Sequence, residues 1–263
     1  QGFGDILQIG RQNRPVLYDL FADPLPGLVP EELRFEVDER VNYLGEVLQP
    51  LDHGSAEMLI PELRAGKVQS VAICLLFSFL YPEHERALAS ALRSAGFLVS
   101  VSSEILPEFR EYERASTTTV NAYVSPIVDK YLTDLETTVN CNDRNVRMRV
   151  MQSNGGNMSL NEARNNGVHC VLSGPAGGII GSQHVAKLAY SQNSITFADP
   201  DPEASNRLRL ITFDMGGTST DVSLIDGVPQ VTTEAVVSGC PIHIPILDIH
   251  TIGTGGGSIA SLD

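Results

Sequence analysis

The sequence contains no tryptophan, and only 6% of its 263 residues are aromatic. Lys and Arg are also scarce, 18 against 32 Asp and Glu, giving a formal net charge of −14. Cations so few and so scattered exclude a basic groove for nucleic acid. A nucleotide is not excluded, because backbone N–H groups and a divalent cation can supply positive charge locally. Long apolar runs are missing as well. The longest, Val71 to Tyr81, covers 11 residues, well short of the roughly 20 that a membrane helix needs. It is expected to form a buried central strand, and no membrane partner is expected. The four cysteines, Cys74, Cys141, Cys170 and Cys240, are spaced too widely for a Cys-x-x-Cys metal or redox pattern. They predict reduced, partly buried thiols and a cytoplasmic setting. The chain opens on Gln1, with neither a starting Met nor a signal-like segment, so an interior position is expected for it.

The length allows one large domain or two moderate ones. Residues 2–18 suit either short strands or one helix followed by a loop. Phe35 to Val41 alternates as a strand that 45–50 can pair, and Ser55 to Ala65 reads as a short helix capped by Ser55. Pro82 to Ala95 has Pro at its start, acids in its first turn and Gly96 just past its end, which predicts an amphipathic helix. Phe97 to Val101 then returns as a strand, and this β-helix-β order implies a parallel or mixed sheet covered by helices. Glu111 to Leu135 is expected as a long helix broken near Pro126, with Arg110 and Arg114 as solvated charges on its face. Val146 to Gln152 reads as a strand, Leu160 to Asn166 as helix and Val168 to Leu172 as extended. Gly174 to Gly178 is expected to be a sharp turn opening a helix to about Ala189, and 191–207 a polar surface linker.

Of 23 glycines, 15 lie between Gly155 and Gly257. Four loops concentrate them: SNGG (153–156), SGPAGG (173–178), DMGGTSTD (214–221) and GTGGGS (253–258). The third lies between two strand-like stretches, Leu210 to Phe213 and Val222 to Ile225, and predicts a hairpin bent around Gly216 and Gly217. Glycine there admits a close backbone approach, and Thr218, Ser219 and Thr220 add hydroxyls beside the N–H groups. Asp214 and Asp221 repel a phosphate directly and suit a metal ion or its bound water. A plain turn suffices for SNGG, while SGPAGG suits a hinge or a phosphate contact equally.

FDMGGTSTDVSLI resembles the second phosphate hairpin of actin-like ATPases. Together with GFGDILQIGRQNRPVLYDL, SSEILPEFREYERASTTTVNAYV, MQSNGGNMS, LSGPAGG and DIHTIGTGGGSIA, it is similar to the hydantoinase A/5-oxoprolinase family over almost the whole chain. The resemblance implies an α/β fold of actin-like (RNase-H-like) lobes, with mixed β-sheets flanked by helices. Residues 1–118 then correspond to the C-terminal part of the N-terminal lobe, and residues 119–263 to the N-terminal part of the hydantoinase A lobe. It also implies an interior piece of a longer chain, whose first phosphate hairpin lies upstream of Gly2. ATP and Mg²⁺ are the implied cofactors. The implied reaction is ATP-dependent opening of a small cyclic amide, with a hydantoinase B-type partner subunit or domain and an oligomeric assembly. Gly216, Gly217, Thr218, Ser219 and Thr220 would hold phosphate, with Ser173 and Gly174 opposite and Gly253, Gly255, Gly256 and Gly257 contacting the nucleotide. Asp214 and Asp221 would serve the metal and catalysis, and His250 is a candidate base. A sugar kinase, an acetone-carboxylase-like ATP-handling subunit and a non-catalytic assembly domain are the alternatives.

Overall fold

The computed structural model describes residues 2–12, 17–19, 21, 27–52, 54–140, 146–191, 208–237 and 239–259. The expected linker at 191–207, apart from Ser191, and Cys141 lie outside them. The helices are α1 (Ile6–Ile9), α2 (Ser55–Ala65), α3 (Glu83–Ser94), α4 (Ser102–Ile105), α5 (Glu111–Asn140), α6 (Leu160–Asn165) and α7 (Ser173–Ser191). The first strands are β1 (Arg40–Val41), β2 (Val47–Gln49), β3 (Ser70–Ile73), β4 (Leu98–Val101), β5 (Arg149–Met151) and β6 (Asn157–Ser159). The hairpin strands β7 (Arg209–Met215) and β8 (Thr220–Asp226) follow, then β9 (Val228–Pro229), β10 (Val231–Thr232) and β11 (Ala235–Val237). The last are β12 (Cys240–Ile242), β13 (Ile246–Leu247) and β14 (His250–Ile252). No described helix is long and apolar enough to cross a membrane.

The chain forms two compact units, one of residues 1–147, 160–168 and 234–244, the other of 148–159, 169–233 and 245–263. The expected lobe division at 118/119 falls inside α5. Helices and mixed small sheets alternate as an α/β fold should.

In the first unit β3 and β4 pair in parallel, Ser70 opposite Leu98 and Ile73 opposite Val101. The connection between them is α3, whose apolar side (Leu88, Ala89, Leu92) joins Leu51, Leu63, Ile73 and Val101 in one core. The helix starts after Pro82, whose fixed φ suits a first turn, and ends before Gly96 at φ +94°. At α2, Gly54 and not Ser55 occupies the capping position, and no side chain caps the helix. β1 and β2 pair antiparallel with an irregular register and are shorter than the alternating pattern suggested.

The apolar run from Val71 is not one strand. β3 stops at Ile73 and the chain turns, with Phe77 at φ +58°. Side chains end the strand. The Leu75 N–H donates to Glu85 Oε1 at 2.7 Å, and the Leu75 carbonyl accepts from Arg114 Nη2 at 2.7 Å. Both backbone groups are then unavailable to a neighbouring strand. Arg114, expected on a solvated face, is fully buried, as is Glu85. Its guanidinium lies 5.3 Å from the Phe79 ring centre, a desolvated cation–π arrangement.

Helix α5 runs unbroken through Pro126, against the expected break. A proline inside a helix deprives the carbonyl four residues earlier of its donor, here Ala122. That carbonyl accepts a 2.6 Å hydrogen bond from Ser70 Oγ instead. Ser70→Ala should therefore cost about 1–3 kcal/mol, the penalty for a buried unsatisfied carbonyl, read from the denaturant midpoint. In a Pro126→Ala background the same change should cost clearly less, because the helix regains its own donor; equal costs would refute the compensation. Asn121, fully buried on the same helix, donates to Ser100 Oγ and to the Asn165 carbonyl and accepts from the Val168 N–H. That last bond draws Gly167–Cys170 into a 3-10 turn, where an extended stretch was expected.

In the second unit β7 and β8 form the expected hairpin, in register from Arg209 opposite Asp226 to Met215 opposite Thr220. β14 pairs antiparallel with the other edge of β8. Because successive strand residues point to opposite faces, Leu210 and Ile225 share one face, and they pack with Ala176, Ile179, Leu247 and Ile249. Helix α7 begins at Ser173, so GPAGG forms its first turns, correcting the expected sharp turn. Pro175 is tolerated because first-turn N–H groups have no intrahelical acceptor.

Candidate functional site

The bend at 216–219 is open. Gly216, Gly217 and Thr218 are exposed, and a Cβ on Gly217 would meet nothing within 4 Å. The Gly216 N–H closes the ladder by donating to the Ser219 carbonyl at 2.9 Å, so it is not available to a phosphate. The N–H groups of Gly217 and Thr218 have no hydrogen-bond partner among the described residues. Thr220 is buried, and its hydroxyl donates to the Thr254 carbonyl at 2.6 Å.

Asp214 and Asp221 stand directly opposite each other at the end of the hairpin. Two like charges in such a pair destabilise a sheet, unless a cation lies between or beside them. Asp221 Oδ1 accepts from Thr251 Oγ1 at 2.6 Å, while Asp214 has no hydrogen bond or ion pair among the described residues. Those residues hold no group of three or more His, Cys, Asp or Glu that could hold a metal. Two carboxylates suit Mg²⁺, which takes one or two protein oxygens and completes its octahedron with waters and phosphate oxygens. They do not suit an ion that needs a full protein cage.

The GTGGGS loop meets the bend. Gly256 N–H donates to the Gly216 carbonyl at 2.9 Å, Gly257 N–H to the Gly217 carbonyl at 3.4 Å, and Gly255 N–H to Ser258 Oγ at 3.1 Å. From α7, Gly178 brings its backbone beside Asp214, with Oδ2 3.8 Å from where a Cβ would sit. Gly174 at the start of α7 faces open space. His250 is not brought to the aspartates. It pairs with Val222, one step from Asp221 and hence on the opposite face of the sheet.

SNGG has a packing role. Ser153 is fully buried, its one hydroxyl proton shared between the His169 and Val171 carbonyls and its own carbonyl accepting from Leu247 N–H at 2.8 Å. Gly155 has φ +83°, and a Cβ there would lie 2.8 Å from Ile180 Cδ1. Gly155→Ala should destabilise by about 1–3 kcal/mol, mostly from backbone strain; adding Ile180→Val should recover little. Full recovery by the second change would assign the cost to crowding instead.

Cys74, Cys170 and Cys240 are free thiols, and burial pushes each above the ordinary thiol range. None has the lowered pKa of a nucleophile. Sequence reasoning missed Thr251, visible only through register, and it placed Gly178 in the SGPAGG loop without foreseeing its approach to Asp214. It also missed the buried Glu85 and Arg114.

Residues 1–96 match the hydantoinase/oxoprolinase N-terminal region, and residues 114–198 and 203–263 match hydantoinase/oxoprolinase. The chain belongs to the hydantoinase/oxoprolinase family. It is 36% identical to 5-oxoprolinase 1 of Arabidopsis thaliana, across 98% of this chain and 20% of that protein. It is 32% identical to caprolactamase subunit alpha of Pseudomonas jessenii, across 98% of this chain and 35% of that one. The crystal structure of the ATP-dependent caprolactamase from Pseudomonas jessenii superposes on all of this chain and 36% of its own, with TM-score 0.79 and 32% identity. Nucleotide-free acetone carboxylase shares the fold, with TM-score 0.76 at 24% identity, over all of this chain and 37% of its own. The chain thus spans well under half the length of these relatives.

Proposed function

We propose that this chain forms part of an enzyme that uses ATP to open a small cyclic amide. The observation that carries the reading is the exposed bend of the hairpin, with two unpartnered amides beside an opposed pair of carboxylates. Gly217 and Thr218 N–H groups would take phosphate oxygens, joined by the first-turn amides of Ser173 and Gly174. Asp214 and Asp221 would hold Mg²⁺, which neutralises phosphate charge when bound. Positioning of this kind is most of what phosphoryl transfer asks of a protein.

In the proposed reaction the amide oxygen attacks the γ-phosphorus and ADP departs. Water would then add to the activated carbon and the C–N bond would break, leaving an amine and an acyl phosphate. A second water attacks that acyl carbon, giving the carboxylate, and phosphate leaves with the former amide oxygen. Phosphorylation turns a poor leaving oxygen into a good one, which explains the use of ATP on a stable ring. The names of the Arabidopsis and Pseudomonas relatives support a lactam as the ring. That the Pseudomonas caprolactamase has an alpha subunit supports a partner subunit, which we take to be of the hydantoinase B type. The reading assigns His250 no role, because it lies on the opposite face of the sheet from Asp221.

The test is release of phosphate from ATP by the full-length protein. Release that depends on an added lactam or hydantoin supports the reading. Phosphorylation of a sugar, or turnover requiring a ketone and bicarbonate, assigns the site to another ATPase. Absence of Mg·ATP binding makes the fold an assembly element.

A further inference from the structure

The geometry points to Gly255 and its loop as the device that aims the phosphate-binding amides, a positioning element and not a second phosphate ligand. This rests on the ATP reading above. The donors facing the bend are spent: the Gly255, Gly256 and Gly257 N–H groups all bond within the protein, to Ser258 Oγ and to the carbonyls of Gly216 and Gly217. What they do is fix the orientation of two peptide planes. In a trans peptide the carbonyl and the following N–H point in opposite directions, and none of the described peptide bonds is cis. Holding the Gly216 and Gly217 carbonyls against the loop turns the Gly217 and Thr218 N–H groups away from it, to the exposed side of the bend. Without that hold, two consecutive glycines have no preferred orientation.

The loop is itself anchored. β14 pairs with β8 just before it, and the Thr220 hydroxyl holds the Thr254 carbonyl at 2.6 Å. Gly255 alone of the loop's glycines is buried. A Cβ there would lie 2.7 Å from Gly216 O, Gly217 C and Thr218 N, all of them backbone atoms. No side-chain rotation relieves that overlap. Even the smallest substitution must displace the bend, whereas a Cβ on Gly217 meets nothing. A glycine is required at 255 because the bend's backbone lies against it, while the one at 217 faces open space.

The experiment uses the full-length protein, with Mg·ATP affinity by calorimetry, thermal midpoint, and hydrogen exchange over peptides covering 216–219 and 253–258. In wild type, Mg·ATP should slow exchange at 216–219 and leave 253–258 unchanged. Gly255→Ala should stay folded but bind Mg·ATP at least about ten-fold more weakly, since donors displaced by a fraction of an ångström lose their geometry. Thr220→Val, which only unties the anchor, should weaken binding about three- to ten-fold. Affinity within two-fold of wild type in a folded Gly255→Ala variant overturns the inference. So does new protection at 253–258, which would give the loop direct phosphate contact. If Gly255→Ala does not fold, Thr220→Val decides, and unchanged affinity there overturns it. A wild-type protein that does not bind Mg·ATP refutes the ATP reading itself, a separate failure.

Discussion

Glu85→Ala lowers stability by about 3–5 kcal/mol, the range for leaving a buried charge without its counterpart. Glu85 and Arg114 are both fully buried, and they hold opposite ends of one backbone unit, the N–H and the carbonyl of Leu75. Glu85 also accepts from Ser102 Oγ at 2.7 Å and from Ser103 N–H at 2.9 Å. Removing it orphans the Leu75 and Ser103 N–H groups, leaves the Ser102 hydroxyl only Ser78 Oγ at 3.1 Å, and leaves the Arg114 guanidinium without a nearby buried anion. Arg114→Met should cost a similar amount singly. The double variant Glu85→Leu, Arg114→Met should cost less than the sum of the two single changes, because no unpaired charge remains although the donors that Glu85 satisfied stay without an acceptor. Chemical denaturation of the four proteins checks the cycle. Additive losses would mean that the two charges do not depend on each other.

This cluster also shows where the sequence stopped being readable. The amphipathic period of 83–94 and the Pro82 and Gly96 signals at its ends gave α3 correctly, because those signals are local. The same helix hides Glu85 among the acids of its first turn, where a charge is ordinarily solvated. Nothing in the run from Val71 tells that Leu75 is captured by side chains ten and thirty-nine residues away, so the expected strand is more than twice the length of β3. Pro126 misled in the opposite direction. Its rule is sound, but a hydroxyl from β3 supplies the donor that the proline removes. Local rules fail in both cases because a distant group satisfies the backbone.

The candidate site was more legible, for a physical reason. A hairpin is a local structure, and the strands flanking Gly216 and Gly217 are set by alternation and turn chemistry alone. Their register, and hence the opposition of Asp214 and Asp221, follows from the length of the bend. The neighbours of the hairpin were not legible. GTGGGS was expected to touch nucleotide, yet the Gly256 and Gly257 amides bond to the bend and the Gly255 amide to Ser258 Oγ. His250 was a candidate base, yet strand parity sends it to the face opposite Asp221. Both depend on how β14 registers against β8, which involves residues about thirty positions apart.

Asp214→Asn in the full-length protein should reduce turnover about 10²–10³-fold or more, the scale of losing one electrostatic contact to a developing charge, and Asp214→Ala should abolish it. The amide preserves shape and removes one of two opposed negative charges. In the absence of Mg²⁺ the same change should leave stability unchanged or raise it by about 0.2–1 kcal/mol, since like charges facing each other across strands repel. Asp214 is exposed and makes no hydrogen bond or ion pair among the described residues, so no structural contact is lost in exchange. Adding Mg·ATP should then stabilise wild type and not the variant, reversing their order of thermal midpoints. A residue kept only for folding predicts the opposite: lower stability in both conditions and turnover falling in proportion to the folded fraction. Unchanged turnover in the folded Asn variant would remove Asp214 from the site and leave the exposed bend without its metal.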